Sequence, residues 1–371
     1  MLERSSLIVF VTLAIGFATA EEMLCAQDLP AQQTQTQQLQ AENPQAPRER
    51  RRGSRTPEWL RRGYTVRTSS RRDNSEMVQL VEPITNTTNG SVVQVLSDGK
   101  VVSLGTIVSA DGYALTKRSE LSADPIRVRM HDDQVLSARV AAVGRANDLA
   151  LLKIDGDFDF TAVKFDSSIP PVGSFLISAG RTGRPIGIGS MGVLPRRIKH
   201  NGRLGVVLRE GSDGRAWVYE VWRDSGADDA GIEPEDRIIA VNGQEVYTSE
   251  NVIQKLGRLF PGEIAQLTIL RSGSVLEMNA GIRELGILQE TENDSRVNGS
   301  RSTRLSGFDQ VLQHDTVLKP DECGGPLLDL EGRVIGLNIA RAGRVVSFAL
   351  PSSLVLPEMI RLLEQARSAD R

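Results

Sequence analysis

Cysteine is nearly absent from these 371 residues: Cys25 and Cys323 are the whole supply, so no disulfide framework staples the fold. Histidine is almost as scarce, at His131, His200 and His314, which leaves few imidazoles for acid–base chemistry. Aromatic residues make up only 4% of the chain, although the 40% hydrophobic and 25% charged fractions are ordinary for a globular protein. Apolar runs of about 20 residues, the length a bilayer requires, are missing. The nearest, Leu7 to Phe17, follows Arg4 and precedes Ala18-Thr19-Ala20. That is the layout of a secretory signal with a small-residue cleavage site, so residues 1–20 are read as a signal peptide. The protein is then exported, to a periplasm or to the cell exterior, where two unpaired thiols are unusual.

What is present is unevenly spread. The formal net charge is -3, yet residues 48–72 hold ten Arg against Glu49 and Glu58, a net +8 that leaves about -11 for the rest. Residues 21–76 are Gln-rich and then Arg-rich, with few core-forming side chains, and are expected to be a disordered tail. Its basic part is a candidate for weak contact with an acidic polymer or a membrane surface by charge alone, the plainer reading being a solvated linker.

Beyond the tail there is room for two or three domains. Alternation typical of strands begins near Ser91, with turns at Asp98-Gly99 and Asp111-Gly112 and further short strands at 126–130, 137–143 and 149–154. Many short strands at close spacing predict a barrel or sandwich. Around residue 203 the texture changes. A small-residue helix near Gly226 to Gly231 leads to the turn Gly231-Ile232-Glu233-Pro234-Glu235-Asp236 and the strand Ile239-Ala240-Val241-Asn242-Gly243. A helix is expected from Ser249 to Leu259, capped by Ser249, with Glu250 in its first turn and Val252, Ile253 and Leu256 on its apolar face. Residues 286–305 are polar and read as a return linker. Short strands then resume until a closing helix near Leu354 to Arg367.

The stretch Asp321-Glu322-Cys323-Gly324-Gly325-Pro326-Leu327 resembles the nucleophile loop N-P-G-N-S-G-G-P-L of HtrA/Do-like, trypsin-fold serine proteases. Leu104 to Thr116 resembles the strands before the family's histidine, and Asn147-Asp148-Leu149-Ala150-Leu151-Leu152 its aspartate motif, while residues 203–243 resemble a PDZ domain. The resemblance implies a mainly β protein: a two-barrel trypsin-like domain in two parts, 77–200 and 306–367, with an inserted α+β PDZ domain at 201–285 and a linker at 286–305. In most relatives the PDZ domains follow the complete protease. It implies catalytic triad positions at Ser119 in place of His, at Asp148, and at Cys323 in place of Ser, with no cofactor and no metal. It also implies a peptide groove lined by Leu204, Gly205, Val206, Val252 and Leu256 that receives unfolded or C-terminal polypeptide segments, and a homo-oligomer, a trimer by family analogy.

Acyl transfer on this fold needs a nucleophile, a base, a carboxylate to orient the base, and N–H donors for the oxyanion. Cysteine is intrinsically nucleophilic, but the base position holds Ser119. Asp321 stands where the family has an oxyanion-loop glycine and Glu322 directly precedes the thiol, and two carboxylates there disfavour both thiolate and oxyanion. His314, nine residues before Cys323, is the alternative base; a structural His paired with Asp315 is the other reading of it. Two functions therefore stay open: a degenerate endopeptidase that binds protein termini or unfolded polypeptides, and an active endopeptidase using Cys323 with a non-standard base such as His314. A thiol used for redox sensing or covalent capture is a third.

Overall fold

The computed structural model describes residues 74–156 and 158–369. The segment expected to be a signal peptide, Cys25 and the Arg-rich stretch expected to be disordered lie outside them.

Ser75 and Glu76, expected to close the disordered tail, instead form the first turn of a helix, α1 (Ser75–Thr85). Asn74 caps it, its Oδ1 accepting from Met77 N at 2.9 Å. Met77, Val81 and Ile84, spaced i, i+4, i+7, form a narrow apolar stripe that packs on Ile177 and Ile188. The stripe is too short to stand out in a polar context, and the tertiary partner is what makes the helix.

Residues 92–154 supply six antiparallel strands: β1 (Val92–Ser97), β2 (Lys100–Ser109), β3 (Tyr113–Lys117), β4 (Ile126–Arg129), β5 (Val135–Gly144) and β6 (Leu149–Ile154). They close into a barrel in the order β1-β2-β3-β6-β5-β4. Asp98 and Gly99 both take positive φ, which fits the tight turn joining β1 to β2. Alternate positions point inward, so Val93, Val95, Ile107, Ala114, Val128, Met130, Leu152 and Ile154 fill the interior.

A second barrel begins with β7 (Phe175–Ala179) and β8 (Pro185–Ile198). Here the chain leaves through β9 (Gly202–Arg203), β10 (Val206–Glu210), β11 (Ala216–Val221), α2 (Gly226–Asp229), β12 (Arg237–Val241), β13 (Gln244–Glu245), α3 (Ser249–Leu256), β14 (Ile264–Arg271), β15 (Ser274–Gly281) and β16 (Arg283–Glu284). Its sheets are β10-β11 and β13-β12-β14-β15, and they share a core with Leu204, Val252, Leu256 and Ile282. Pairing of Gly202 with Glu284 and of Arg203 with Arg283 ties the two ends of this module together. After α4 (Leu285–Leu288) and α5 (Glu292–Asn298) the second barrel resumes with β17 (Phe308–His314), β18 (Pro326–Leu328), β19 (Val334–Gly343) and β20 (Val346–Pro351). It closes in the order β17-β20-β19-β18-β7-β8. The last helix, α6 (Ser352–Ala369), buries Val355, Leu362 and Ala366 among Leu115, Leu149 and Leu151 of the first barrel and Phe308, Leu337 and Leu350 of the second.

Two local expectations change. The cap of α3 is Thr248, extended at φ -95 and ψ 158 with its hydroxyl accepting from Asn251 N, whereas Ser249 is already the first helical residue and its Oγ is buried without a partner. Residues 286–305 are no loose linker. Thr291 and Asp294 form a reciprocal capping box at the start of α5. Ser302 and Arg304 are fully buried.

Candidate functional site

The residues singled out at the ends of β3 and β6 do meet. Asp148 takes a left-handed backbone conformation, φ +59, just before β6, and its carbonyl accepts from Arg118 N at 2.9 Å. Its carboxylate is fully committed to Ser119, accepting from Ser119 N at 2.9 Å and Ser119 Oγ at 2.7 Å. The pair is buried. That burial pushes the Asp148 pKa up, outweighing the charges of Lys117 and Arg304 and the two Ser119 hydrogen bonds, which work downward.

Cys323 ends a single 3₁₀ turn, Pro320–Glu322, that Glu322 caps by accepting from Lys319 N at 2.8 Å. Main-chain bonds lock the loop to both barrels: Leu104 N donates to Cys323 O and Gly324 N donates to Asn338 O, each at 2.7 Å. Gly324 is needed for this approach. Its φ is +102, and a Cβ there would stand 1.9 Å from Leu104 O. The thiol has no solvent exposure. Burial, with Glu120 and Glu322 adding to it, pushes its pKa up to about 11 against the opposing pull of Lys117 and the Ser302 hydroxyl. Cys323 N–H donates at 3.3 Å to Pro320 O, inside the turn. It is therefore not directed at the place where an oxyanion would form.

His314 has different company. It is buried on β17, with Nδ1 2.8 Å from Thr316 Oγ1, and Nε2 makes no hydrogen bond, although the Asn338 side chain is near. Asp315, expected to be its partner, instead accepts from Ser190 N at 2.6 Å. Burial lowers the imidazole pKa to about 4, against weaker upward effects from Asn338 and Asp315. Cys323 is not among its partners.

The cation beside the thiol is Lys117, which sequence reasoning missed. It is wholly buried at the end of β3, with Nζ 2.8 Å from Glu120 Oε1. Burial works to lower its pKa, but Glu120, Cys323 and Asp148 together outweigh it and hold the ammonium charged. A lysine so held does not accept a proton readily and is a poor general base. Arg304 was also missed. Its guanidinium donates to Arg145 O at 2.7 Å and to Ala146 O at 2.6 Å, and lies 3.8 Å from the Phe260 ring centroid. No periodicity marks either residue: Lys117 pairs with Glu120 three residues on and also feels Asp148, and Arg304 bonds the near carbonyls of Ser306 and Gly307 as well as the distant ones of Arg145 and Ala146. The inserted module meets the first barrel here as well, where Glu263 pairs with Arg145 and, at 2.9 Å, with Arg118 beside Ser119.

The module carries an open groove of about 310 Å³ between β10 and α3, lined by Leu204, Gly205, Val206, Trp222, Ile253 and Leu256 among others. Leu204 O accepts from Ala227 N and Gly205 O from Trp222 N, so both carbonyls are committed to the module itself. Gly205 has φ +91, and a Cβ there would stand 2.2 Å from Ser225 Cβ. Leu204, Gly205, Val206 and Leu256 all line this one groove. Val252 is not. It lies in the module's core, and Ile253, one residue on, lines the groove.

Residues 202–282 match the PDZ domain family. The "Probable periplasmic serine endoprotease DegP-like" of Ectopseudomonas mendocina is 27% identical over 320 residues, covering 62% of this chain and 65% of that protein. Its namesake from Pseudomonas savastanoi pv. phaseolicola is 26% identical over 355 residues, covering 71% and 74%. This is an HtrA/DegP-like chain carrying a PDZ domain. It spans 65% and 58% of the first two such relatives, the second from Hahella chejuensis. A solved structure, "HtrA-type protease AlgW with decapeptide", aligns at 16% identity over 54% of this chain with a TM-score of 0.27, too little for a comparison site by site. Among the described residues no helix is long and apolar enough to cross a membrane, and no three His, Cys, Asp or Glu are grouped to hold a metal.

Proposed function

We propose that this HtrA/DegP-like chain is an exported, degenerate endopeptidase that binds protein termini or unfolded polypeptides through its PDZ groove. Ser119, Asp148 and Cys323 occupy the triad positions without forming a working triad. The observation that carries this reading is the state of Cys323: a protonated, buried thiol beside a charged lysine, with its own N–H turned into the loop. A cysteine hydrolase needs a thiolate, a base that can accept a proton and an N–H pair for the oxyanion. The PDZ groove, in contrast, offers an apolar wall beside β10, an outer strand of its two-stranded sheet, and this supports reading it as the place where a peptide strand adds.

The test is cleavage of casein by the mature chain beside Cys323→Ala and His314→Ala. No proteolysis is expected from any of the three in samples with native circular dichroism. Activity lost on Cys323→Ala would instead establish the endopeptidase, and parallel loss in His314→Ala would make the histidine its base. For the groove, fluorescently labelled peptides with an apolar C-terminal residue are expected to bind at micromolar concentration. Ile253→Glu, which places a carboxylate on an exposed side of α3 that faces the ligand, should weaken binding at least tenfold without altering the melting curve. Unchanged affinity in that variant would move the peptide site elsewhere.

A further inference from the structure

The segment after the PDZ domain is held far more firmly than its composition suggests. Residues 298–304 read Asn-Gly-Ser-Arg-Ser-Thr-Arg, with no apolar side chain. Ser302 N donates to Arg341 O at 3.1 Å and Ser302 Oγ accepts from Arg341 N at 3.0 Å, so the segment pairs with β19 at one residue. The Arg341 guanidinium reaches back to Ser300 O at 2.8 Å and Asn298 O at 2.9 Å. Thr303 donates to the Glu120 carboxylate from both N and Oγ1, at 3.1 Å each. Arg304 then anchors the end in the first barrel, as described above. From the other side the PDZ turn presses in: a Cβ on Gly262 would lie 2.9 Å from Thr303 Cγ2 and 3.3 Å from Ser119 Cβ.

Cys323 lies behind this cover. The Ser302 hydroxyl stands against the thiol, and both residues have no solvent exposure. A cleft of about 410 Å³ opens beside the segment, bordered by Ser300 and Arg341 and by Pro320 and Asp321 of the turn before Cys323.

We propose that residues 298–304 are an intramolecular strap that pairs with β19 at Arg341 and closes over Cys323, so that an extended polypeptide reaches the thiol only once the strap lifts. Two features fit a part that moves. The strap is held by hydrogen bonds and ion pairs, without an apolar anchor between Asn298 and Arg304, and segments of that kind open below the cost of global unfolding. The main-chain N–H and carbonyl groups of an incoming strand can also replace what the strap offers Arg341, which is the Ser302 N–H for its carbonyl, the Ser302 hydroxyl for its N–H and two carbonyls for its guanidinium, so exchange leaves few groups unsatisfied. The strap stands whether or not the thiol does chemistry. Its failure and the failure of the binding reading are therefore separate results.

The experiment is alkylation of Cys323 by iodoacetamide in the folded full chain with Cys25→Ser, which leaves one thiol. The rate is compared with that of the urea-unfolded chain to give an opening equilibrium, and that with the global unfolding equilibrium from a urea titration. The strap predicts an opening at least about tenfold more populated than global unfolding. Thr303→Val, which removes the strap's one bond from Oγ1 while keeping its bulk, and Ser302→Pro, which removes both the N–H given to Arg341 and the Oγ that accepts from it, should each raise the labelling rate about tenfold or more relative to any change in global stability. Labelling that follows global unfolding one for one in all three proteins would overturn the proposal. So would labelling of the folded parent at the unfolded rate, which would mean there is no cover.

Discussion

Lys117→Met lowers the unfolding free energy by about 3–5 kcal/mol, the usual result of removing one partner from a buried charge cluster. The methionine fits the volume but leaves two carboxylates without their shared cation. Glu120, largely buried, loses the 2.8 Å ion pair, and Asp148, wholly buried, loses the charge that does most to restrain its pKa. Asp148 would answer by holding a proton to still higher pH, so the loss should be smaller in acid than at neutrality. A urea titration shows the effect as a lower midpoint at unchanged slope. Adding Glu120→Gln to the variant should recover part of the loss, because it removes one of the stranded charges. Lys100→Met, at an exposed strand end, should stay within about 0.5 kcal/mol of the parent. Equal losses at Lys117 and Lys100 would mean that the cluster does not depend on its cation.

Which of these features could be read in the sequence follows from what kind of interaction made them. The strands of the first barrel were legible because alternation is local: Val93 and Val95 face one way, Gln94 the other, and Asp98-Gly99 marks the turn. The PDZ domain was legible because its turn and strand residues come in a fixed order, and the groove wall of Leu204, Gly205 and Val206 followed from it. The helix α3 was found but its cap was misplaced by one residue, since Thr248 and Ser249 are both good caps and only the backbone at Thr248 is extended. Val252 was placed in the groove and Ile253 given no part in it, because a helix turns about 100° per residue and which of two neighbouring apolar residues meets the sheet is decided by packing. The strap was read as linker because polar side chains look the same whether they bind water or bind Arg341 and Glu120. Lys117 and Arg304 were invisible for a stronger reason: a charged side chain is read as exposed until the fold shows it enclosed with Glu120 and Asp148 beside the lysine and four backbone carbonyls around the guanidinium.

Acid should destabilise the fold by about 3 kcal/mol between pH 6.5 and 4 through His314 alone. The unfolded imidazole takes up a proton near pH 6.5, whereas the folded one holds out to about 4 because charging it means charging a group with no solvent. Below pH 6.5 the unfolded state therefore binds one proton more than the folded state, and the unfolding free energy falls by about 1.4 kcal/mol per pH unit until pH 4. Above pH 7 neither state binds it and the contribution is complete. Other groups titrate in or near the window with opposite signs: the lowered Glu120 and Glu263 lose stability on acidification, while the raised Asp148 and Glu284 gain it. The quantity to read is thus the difference between the parent and His314→Gln, whose amide can still meet Thr316. That difference should have a slope between pH 4.5 and 6.5 and be flat from 7 to 8. A flat difference throughout would place the folded imidazole near its ordinary pKa and in contact with water. The same slope bears on the chemistry at Cys323. A general base must accept a proton in the transition state, and an imidazole whose protonation at neutral pH costs about 3 kcal/mol of folding free energy works against that step. For His314 to serve the thiol, the barrel around β17 would first have to open to water, and a histidine so opened would no longer show the slope.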